Sequence, residues 1–376
     1  MEFSRKDTQM VKGIAIILMF FHHNFFRQSR FEDYVINSWP FDDVLICNIA
    51  KFSKICVALF VFLSAYGMTL SYKRISSDYI VSVKDVYKST VKRYLSIMFG
   101  YWFVFVGTQF AAIFFEPTRW EKIYGTGTDG VIRFVLDFFG VAEMLGMSSF
   151  VRTWWYIGMA VMLVLLMPLL LRMYTRIGVL LLPISCFLPR FLKLDMDSEV
   201  LRYLLTIAIG IWCADSNILV KIKKFKFSSN RKVSAVVKMT AELACLYLLY
   251  EFRKSGAGKE YLEVADAFAA FIVILFSFEF LTGMGGLIRK PLEYLGKYSM
   301  DMFLTHTIFR GIWFDEFIYG FQSVWLIMLV LIGVSLLTSI LIERLKEWIR
   351  YDRLENNVIG RLQRKIEMEE KGLCKG

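Results

Sequence analysis

Apolar residues along the chain gather into runs, and the short segments between them hold most of the charge. A run of roughly 17 to 25 mostly apolar residues crosses the hydrocarbon core of a bilayer as a helix. Runs of this kind predict ten spanning helices, near residues 11–27, 54–72, 94–115, 153–172, 176–189, 199–214, 236–252, 263–283, 292–313 and 323–343. The fifth is the weakest, being short and interrupted by Pro183 and Pro189. The stretch from Val131 to Phe150 is amphipathic, carries Asp137, Glu143 and two glycines, and is expected to be interfacial or re-entrant. The predicted fold is therefore all-α, a polytopic membrane protein with one transmembrane domain over residues 1–343. The tail 344–376 interleaves charges with Leu, Ile and Trp348, which predicts a cytoplasmic amphipathic helix. With no internal repeat and no separate soluble domain in view, catalytic groups must come from the helices and their loops.

Composition agrees with this pattern. Hydrophobic residues make up 56% of the 376 and aromatics 16%, more than a soluble core of this size uses. The net charge of +11 lies in blocks between apolar runs, a distribution that signals membrane topology and not a nucleic-acid partner. Placing the N terminus inside puts 28 Lys and Arg residues in inside segments and 14 in outside segments, with Lys238, Lys297 and Arg310 within helices. Basic residues are retained on the cytoplasmic side, so both termini are expected there, with an even number of spans. Arg5, Lys6 and Lys12 before the apolar run Ile14 to Phe21 resemble a secretory signal. No small-residue cleavage site follows, so the segment reads as a retained first helix. The six cysteines, at 47, 56, 186, 213, 245 and 374, form no CxxC pair and no metal-ligand spacing, and are expected to act as small hydrophobes.

An ionisable side chain inside a membrane costs several kcal/mol, which makes it a functional candidate. All three histidines are of this kind: His22 and His23 in the first predicted helix and His306 in the ninth. Histidine exchanges a proton near neutral pH, and no HExxH or HxxxH pairing points to a metal. Lys12 and His23 are eleven residues apart and share a helical face, roughly 16 Å apart along the axis, while His22 points about 100° away. A packed histidine bonded to a carbonyl is the structural alternative for His23. Ser299 and His306 also share a face, either lining a polar cavity or bonding neighbouring helices, and Gly296 permits close helix approach. Lys84, Lys88 and Lys92 stack along one face with Arg93 beside them. That cluster suits a phosphorylated ligand, and equally suits the positive-inside signal or anionic lipid.

Several of these segments, in this order, resemble the acyltransferase-3 family of bacterial membrane O-acyltransferases. The segment from Met10 through His23 is similar to the family's Arg-x10-His helix, with Lys12 in the arginine position. Phe60-Val61-Phe62-Leu63-Ser64-Ala65-Tyr66-Gly67 is similar to its Phe-rich Leu-Ser-Gly motif, with Ala65 replacing the usual glycine. Thr153-Trp154-Trp155-Tyr156 followed by Pro168 resembles its Trp-Tyr helix. Leu295-Gly296-Lys297-Tyr298-Ser299 through His306 resembles its Leu-Gly-Lys-x-Ser signature. Arg93-Tyr94-Leu95-Ser96 stands where the family has Arg-x-x-Arg, so Lys88 and Lys92 are expected to supply the missing charge.

The resemblance implies an acyl-coenzyme A donor on the inside, usually acetyl, no metal, and a carbohydrate or lipid-linked glycan acceptor. It implies that His23, with Lys12, is the catalytic group, as base or as transient acyl carrier. It places Arg93, Lys92, Lys88 and Ser96 at the donor, and Ser299, His306, Trp154, Trp155 and Ser64 around the cavity. The expected location is a bacterial cell membrane, where lipid is a further partner. A small-molecule transporter is the rival reading, since Glu242, Asp266, Glu279 and Asp301 all fall within or beside predicted spans and can form an ion path.

Overall fold

The computed structural model describes residues 2–76, 78–79, 81–196 and 198–373, with backbone alone at Arg30, Glu199 and 368–373. Cys374 lies outside these residues. The first helices are α1 (Arg5–Phe25), α2 (Asp43–Phe52), α3 (Ile55–Ile75), α4 (Val83–Phe115), α5 (Arg119–Tyr124) and α6 (Gly127–Phe138). The middle of the chain forms α7 (Trp155–Ile177), α8 (Leu181–Phe191), α9 (Glu199–Arg202), α10 (Leu204–Ser216), α11 (Ile218–Lys224), α12 (Arg231–Lys254) and α13 (Gly256–Glu260). The last are α14 (Leu262–Glu279), α15 (Gly286–Lys297), α16 (Ser299–Gly311), α17 (Asp315–Tyr319), α18 (Val324–Trp348) and α19 (Tyr351–Leu373). Among the described residues the only extended pairing is one isolated bridge, Asn37 with Ser323.

Helix starts follow local chemistry. Ser4 caps α1 through a reciprocal box in which its hydroxyl accepts from the Asp7 N–H and the Asp7 carboxylate accepts from the Ser4 N–H. Asp42, Ser82 and Asn230 cap α2, α4 and α12 in the same way, each side-chain oxygen accepting from a backbone N–H that the helix leaves unpaired.

Among the described residues six helical runs are long and apolar enough to cross a membrane: Asp43–Ile75, Val83–Phe115, Arg152–Phe191, Arg231–Lys254, Leu262–Gly283 and Val324–Trp348. A seventh is added if α10 and α11, bent by 65° at Asn217, form one span. With that seventh included, the count differs from ten at three identifiable places. The predicted first span is α1, a helix with Arg5, Lys6, Asp7, Gln9 and Lys12 on its early turns, too polar to count by composition. The predicted fourth and fifth spans are one run, which tightens into a 3-10 turn at Gly178–Leu180, where Gly178 takes a positive φ of 56°. The predicted ninth span is broken at Tyr298 into α15 and α16, of 12 and 13 residues.

The chain divides into two compact units. The first comprises Met1–Tyr79, Leu170–Ser299 and Glu316–Ile332, the second Ile80–Leu169, Met300–Asp315 and Gly333–Gly376. In the first, α1 packs against α3, α14 and α15, and α3 against α10 and α14. Met10, Val11, Ala15, Ile16 and Phe20 of α1 are fully buried, so its apolar side faces protein instead of lipid. A Cβ on Gly13 would lie 2.1 Å from the Leu292 carbonyl oxygen, and one on Gly296 would lie 1.8 Å from that of Gln9. Rising contacts on α1 thus meet falling ones on α15, and the two helices cross antiparallel with backbone against backbone. Only glycine permits that approach.

In the second unit α19 packs along α4. Leu95, Phe99 and Ile359 are buried together, with Val91, Trp102, Tyr351 and Val358 around them. The Tyr351 hydroxyl donates to the Phe99 carbonyl at 3.1 Å.

Candidate active site

Of the residues singled out by sequence, Lys12, His23, Ser64 and Ser299 fall in the first unit. Lys88, Lys92, Arg93, Ser96, Trp154, Trp155 and His306 fall in the second.

In the first unit the two neighbouring histidines near the end of α1 are set apart by their surroundings. His22 Nδ1 lies 2.8 Å from the Ala50 carbonyl oxygen of α2, and its ring stacks on Phe26 with centroids 4.6 Å apart. A carbonyl only accepts, so Nδ1 carries the proton and this ring is a structural tie between α1 and α2. His23, one residue on, is half-buried with its ring 5.2 Å from that of His22. Asn24 is completely buried: its amide donates to the Phe20 carbonyl at 2.9 Å and its carbonyl accepts from the Tyr319 hydroxyl at 3.2 Å. His23 is therefore flanked on both sides by residues whose polar atoms are fixed. Asn24 had not been singled out, although an amide in an apolar helix is a signal that a partner must exist. Lys12, eleven residues earlier on the same helix, is half-buried.

On α3, Ser64 is half-buried. The neighbouring Ala65, where the family usually has glycine, packs against Gly210 of α10, where an added Cβ would lie 3.0 Å from the Ala65 methyl. Glycine on α10 accommodates the methyl that α3 carries.

In the second unit a chain of hydrogen bonds joins the start of α7 to α16. Trp154 Nε1 donates to the Leu304 carbonyl at 3.0 Å, and Thr153 Oγ1 lies 3.0 Å from Thr307 Oγ1. Thr307 Oγ1 lies 3.1 Å from His306 Nε2, and His306 Nδ1 lies 2.7 Å from the Phe303 carbonyl. The Phe303 carbonyl needs a donor, so Nδ1 is protonated; a neutral ring then takes the Thr307 hydroxyl proton at Nε2, and Thr307 accepts from Thr153. His306 is fully buried. Both of these His306 bonds lie within α16, and the ties across to the turn before α7 are made by Thr307 to Thr153 and by Leu304 to Trp154. Trp155 is half-buried with its ring against Tyr156; Ser299, the first residue of α16 and the last of its stretch of the first unit, is buried.

The basic cluster lies on the early turns of α4, and α19 covers part of it. Lys88 pairs with Glu367 at 2.5 Å, and the Ser96 hydroxyl donates to Glu355 at 2.9 Å. Lys92 is exposed and Arg93 half-buried. Lys88, expected to make up for the missing second arginine, has its charge engaged by a tail carboxylate here. These contacts place the early turns of α4 beside α19.

A feature that sequence reasoning left unexplained is the buried Asp137 at the end of α6. Its carboxylate accepts from the Tyr124 hydroxyl at 2.6 Å, the Phe150 N–H at 2.7 Å and the Tyr101 hydroxyl at 3.1 Å. Burial pushes its carboxyl up from the ordinary carboxylate range, and the Tyr124, Phe150 and Tyr101 donors pull it back. Burial likewise drives the Tyr124 phenol far up, which keeps it a donor. This knot fixes the 116–150 segment, where Arg119 adds a bond to the Phe150 carbonyl at 2.9 Å.

The intramembrane carboxylates behind the transporter reading are for the most part paired. Asp266 meets Arg253 at 2.7 Å, Glu279 meets Lys238 at 2.7 Å, and Asp301 meets Lys346 at 3.1 Å. Local pairing of this kind holds helices together and leaves fewer charges for an ion path. Among the described residues no His, Cys, Asp and Glu group has the makings of a metal site.

No curated protein and no solved structure matches this chain. The family model for the acyltransferase-3 acyltransferase domain, in contrast, matches residues 7–344 and so takes in α1 with His23, the basic turns of α4, the Trp154–Leu304 junction and α16. With all but its first turns and its tail inside that match, this all-helical membrane chain belongs to the acyltransferase-3 family.

Proposed function

We propose that the protein is a membrane O-acyltransferase that moves an acyl group, acetyl in the simplest case, from cytoplasmic acyl-CoA to a hydroxyl of a cell-surface or lipid-linked glycan. It would sit as a multi-pass protein in a bacterial cell membrane with both termini inside, as the distribution of Lys and Arg suggests. Family membership supports acyl transfer in general; the acetyl group, the coenzyme A donor and the glycan acceptor are the finer part of the proposal.

The observation that carries the reading is His23, half-buried near the end of α1 inside the matched region and held between two residues whose polar atoms are already committed. An alcohol is a weak nucleophile at neutral pH and needs a base as it attacks a thioester. In the direct route the glycan hydroxyl oxygen bonds to the thioester carbonyl carbon as its proton passes to the His23 imidazole. The carbon–sulfur bond then breaks, and the proton goes to the departing thiolate. In the two-step route the imidazole first takes the acyl group and releases CoA, and the hydroxyl then displaces it. Arg93, Lys92 and Lys88 are cations suited to the donor's phosphates, and Lys12 stands with His23 on one face of α1.

The test is to incubate purified protein with radiolabelled acetyl-CoA, with and without surface glycan. Label in the glycan, with an equal amount of free CoA released, is expected. Unchanged acetyl-CoA in the presence of every glycan fraction would remove the reading.

A further inference from the structure

The C-terminal end of α12 joins two surfaces of opposite character. Along the helix, Val236, Leu243, Tyr247 and Leu248 are exposed, while Ser234, Lys238 and Glu242 are buried one turn apart on the other side. A helix that is apolar outward and polar inward faces lipid. Where that face ends, a cleft of about 290 Å³ opens between the ends of α2 and α12 and the short α13. Its walls carry four cations, Lys51, Arg253, Lys254 and Lys259.

Two of those charges are matched. Arg253 pairs with the buried Asp266 at 2.7 Å and also donates to the Lys51 carbonyl, so one carbonyl at the end of α2 is already engaged. Lys254 meets Glu251 at 3.0 Å. Lys51 and Lys259 meet no carboxylate among the described residues and are exposed. The cleft is thus left with two positive charges. Phe52 and Tyr250, with centroids 5.6 Å apart, give it an aromatic wall, and Asn48 adds an amide.

We propose that this cleft binds the phosphate of an anionic lipid whose chains lie along the outward face of α12. The volume is at or below the lower end of the roughly 300–1,000 Å³ of small-molecule sites, so it suits a headgroup and not an oligosaccharide. Two unmatched lysines at the end of a lipid-facing helix offer charge-assisted hydrogen bonds to a phosphate headgroup. The cleft also lies at the His22 end of α1: the Ala50 carbonyl takes His22, and the next carbonyl, that of Lys51, takes Arg253. The phosphate belongs either to a bulk phospholipid or to a polyprenyl carrier. This inference goes beyond acyl transfer and does not depend on it.

The test is native mass spectrometry of the full chain released from detergent with phosphatidylglycerol, polyprenyl phosphate or phosphatidylcholine added in turn. Wild type is expected to retain one anionic lipid over phosphatidylcholine by about tenfold, and K51Q/K259Q to lose that preference. Both lysines are exposed, so the double variant should insert normally; K224Q serves as a control for loss of charge elsewhere. Retention of phosphatidylglycerol identifies the bulk lipid as the source, and retention of polyprenyl phosphate alone identifies the carrier. Equal retention by wild type and K51Q/K259Q overturns the proposal, as does occupancy by inorganic phosphate with no lipid preference. Acyl transfer is not read in this measurement, so either result leaves the assignment of His23 standing.

Discussion

Replacing Gly296 with alanine places a methyl where the structure has room only for hydrogen. The added Cβ would lie 1.8 Å from the Gln9 carbonyl oxygen and 2.6 Å from its carbon, and both belong to the backbone of α1. No rotamer change relieves a clash with backbone, so α1 and α15 must separate by more than an ångström. Overpacking of this kind costs about 1–3 kcal/mol, and the separation gives up further contacts along the crossing. Against this, alanine in a helix interior gains roughly 0.5–1 kcal/mol over glycine. The expected net loss for Gly296→Ala is about 2 kcal/mol. Gly67→Ala isolates the opposite sign, because nothing lies within 4 Å of a Cβ at Gly67. It should be neutral or slightly stabilising. Gly13→Ala, with its Cβ 2.1 Å from the Leu292 oxygen, should behave like Gly296→Ala, and the two together should cost less than their sum, since one separation relieves both. SDS-driven unfolding of purified protein, followed by intrinsic fluorescence, measures all four. Gly296→Ala as stable as Gly67→Ala would refute the close crossing.

Arg93→Ala should raise the apparent KM for acyl-CoA about tenfold, worth roughly 1.4 kcal/mol, while a neutral change at Lys224 leaves it nearly alone; the reverse order in initial rates at fixed salt would move the donor site to the last turn of α11, which carries Lys221, Lys223 and Lys224. His22→Ala removes one hydrogen bond to α2 and should cost about 1 kcal/mol of stability with transfer kept within severalfold. A loss of transfer far larger than the loss of stability would show that His22 does more than tie two helices. Asp137→Leu leaves the Tyr101 and Tyr124 hydroxyls and the Phe150 N–H without their buried acceptor, and should lower stability by about 3 kcal/mol or more. A thermal unfolding midpoint equal to wild type would contradict that account.

Much of the helical pattern was legible because hydrophobic length is a local property. The runs that became α12, α14 and α18 stand out from their composition alone, and the separation of His22 from His23 follows from 100° per residue. What could not be read depends on partners distant in sequence. The break at Tyr298 leaves the apolar pattern continuous, and the packing of α1 against α3, α14 and α15 joins segments far apart in sequence. Asp137 looked like a charge on an amphipathic stretch; its three donors come from α4, α5 and the residue before α7's entry turn, which no periodicity connects. The same holds for Lys88 and Ser96, whose partners Glu367 and Glu355 lie more than 250 residues away. Gly13 and Gly296 sit inside two of the motifs that carried the family resemblance, and the crossing of α1 over α15 gives a physical reason for them.

The central claim is that His23 carries the chemistry, and the most direct measurement is the initial rate of label transfer from acetyl-CoA to glycan by His23→Ala. It is read beside wild type and His22→Ala at equal membrane-inserted protein. General acid–base assistance is worth about 10² to 10⁴ in rate, or roughly 3 to 5 kcal/mol. The account predicts a loss of that size for His23→Ala with insertion and unfolding behaviour preserved, whereas a rate for His23→Ala close to wild type would contradict it.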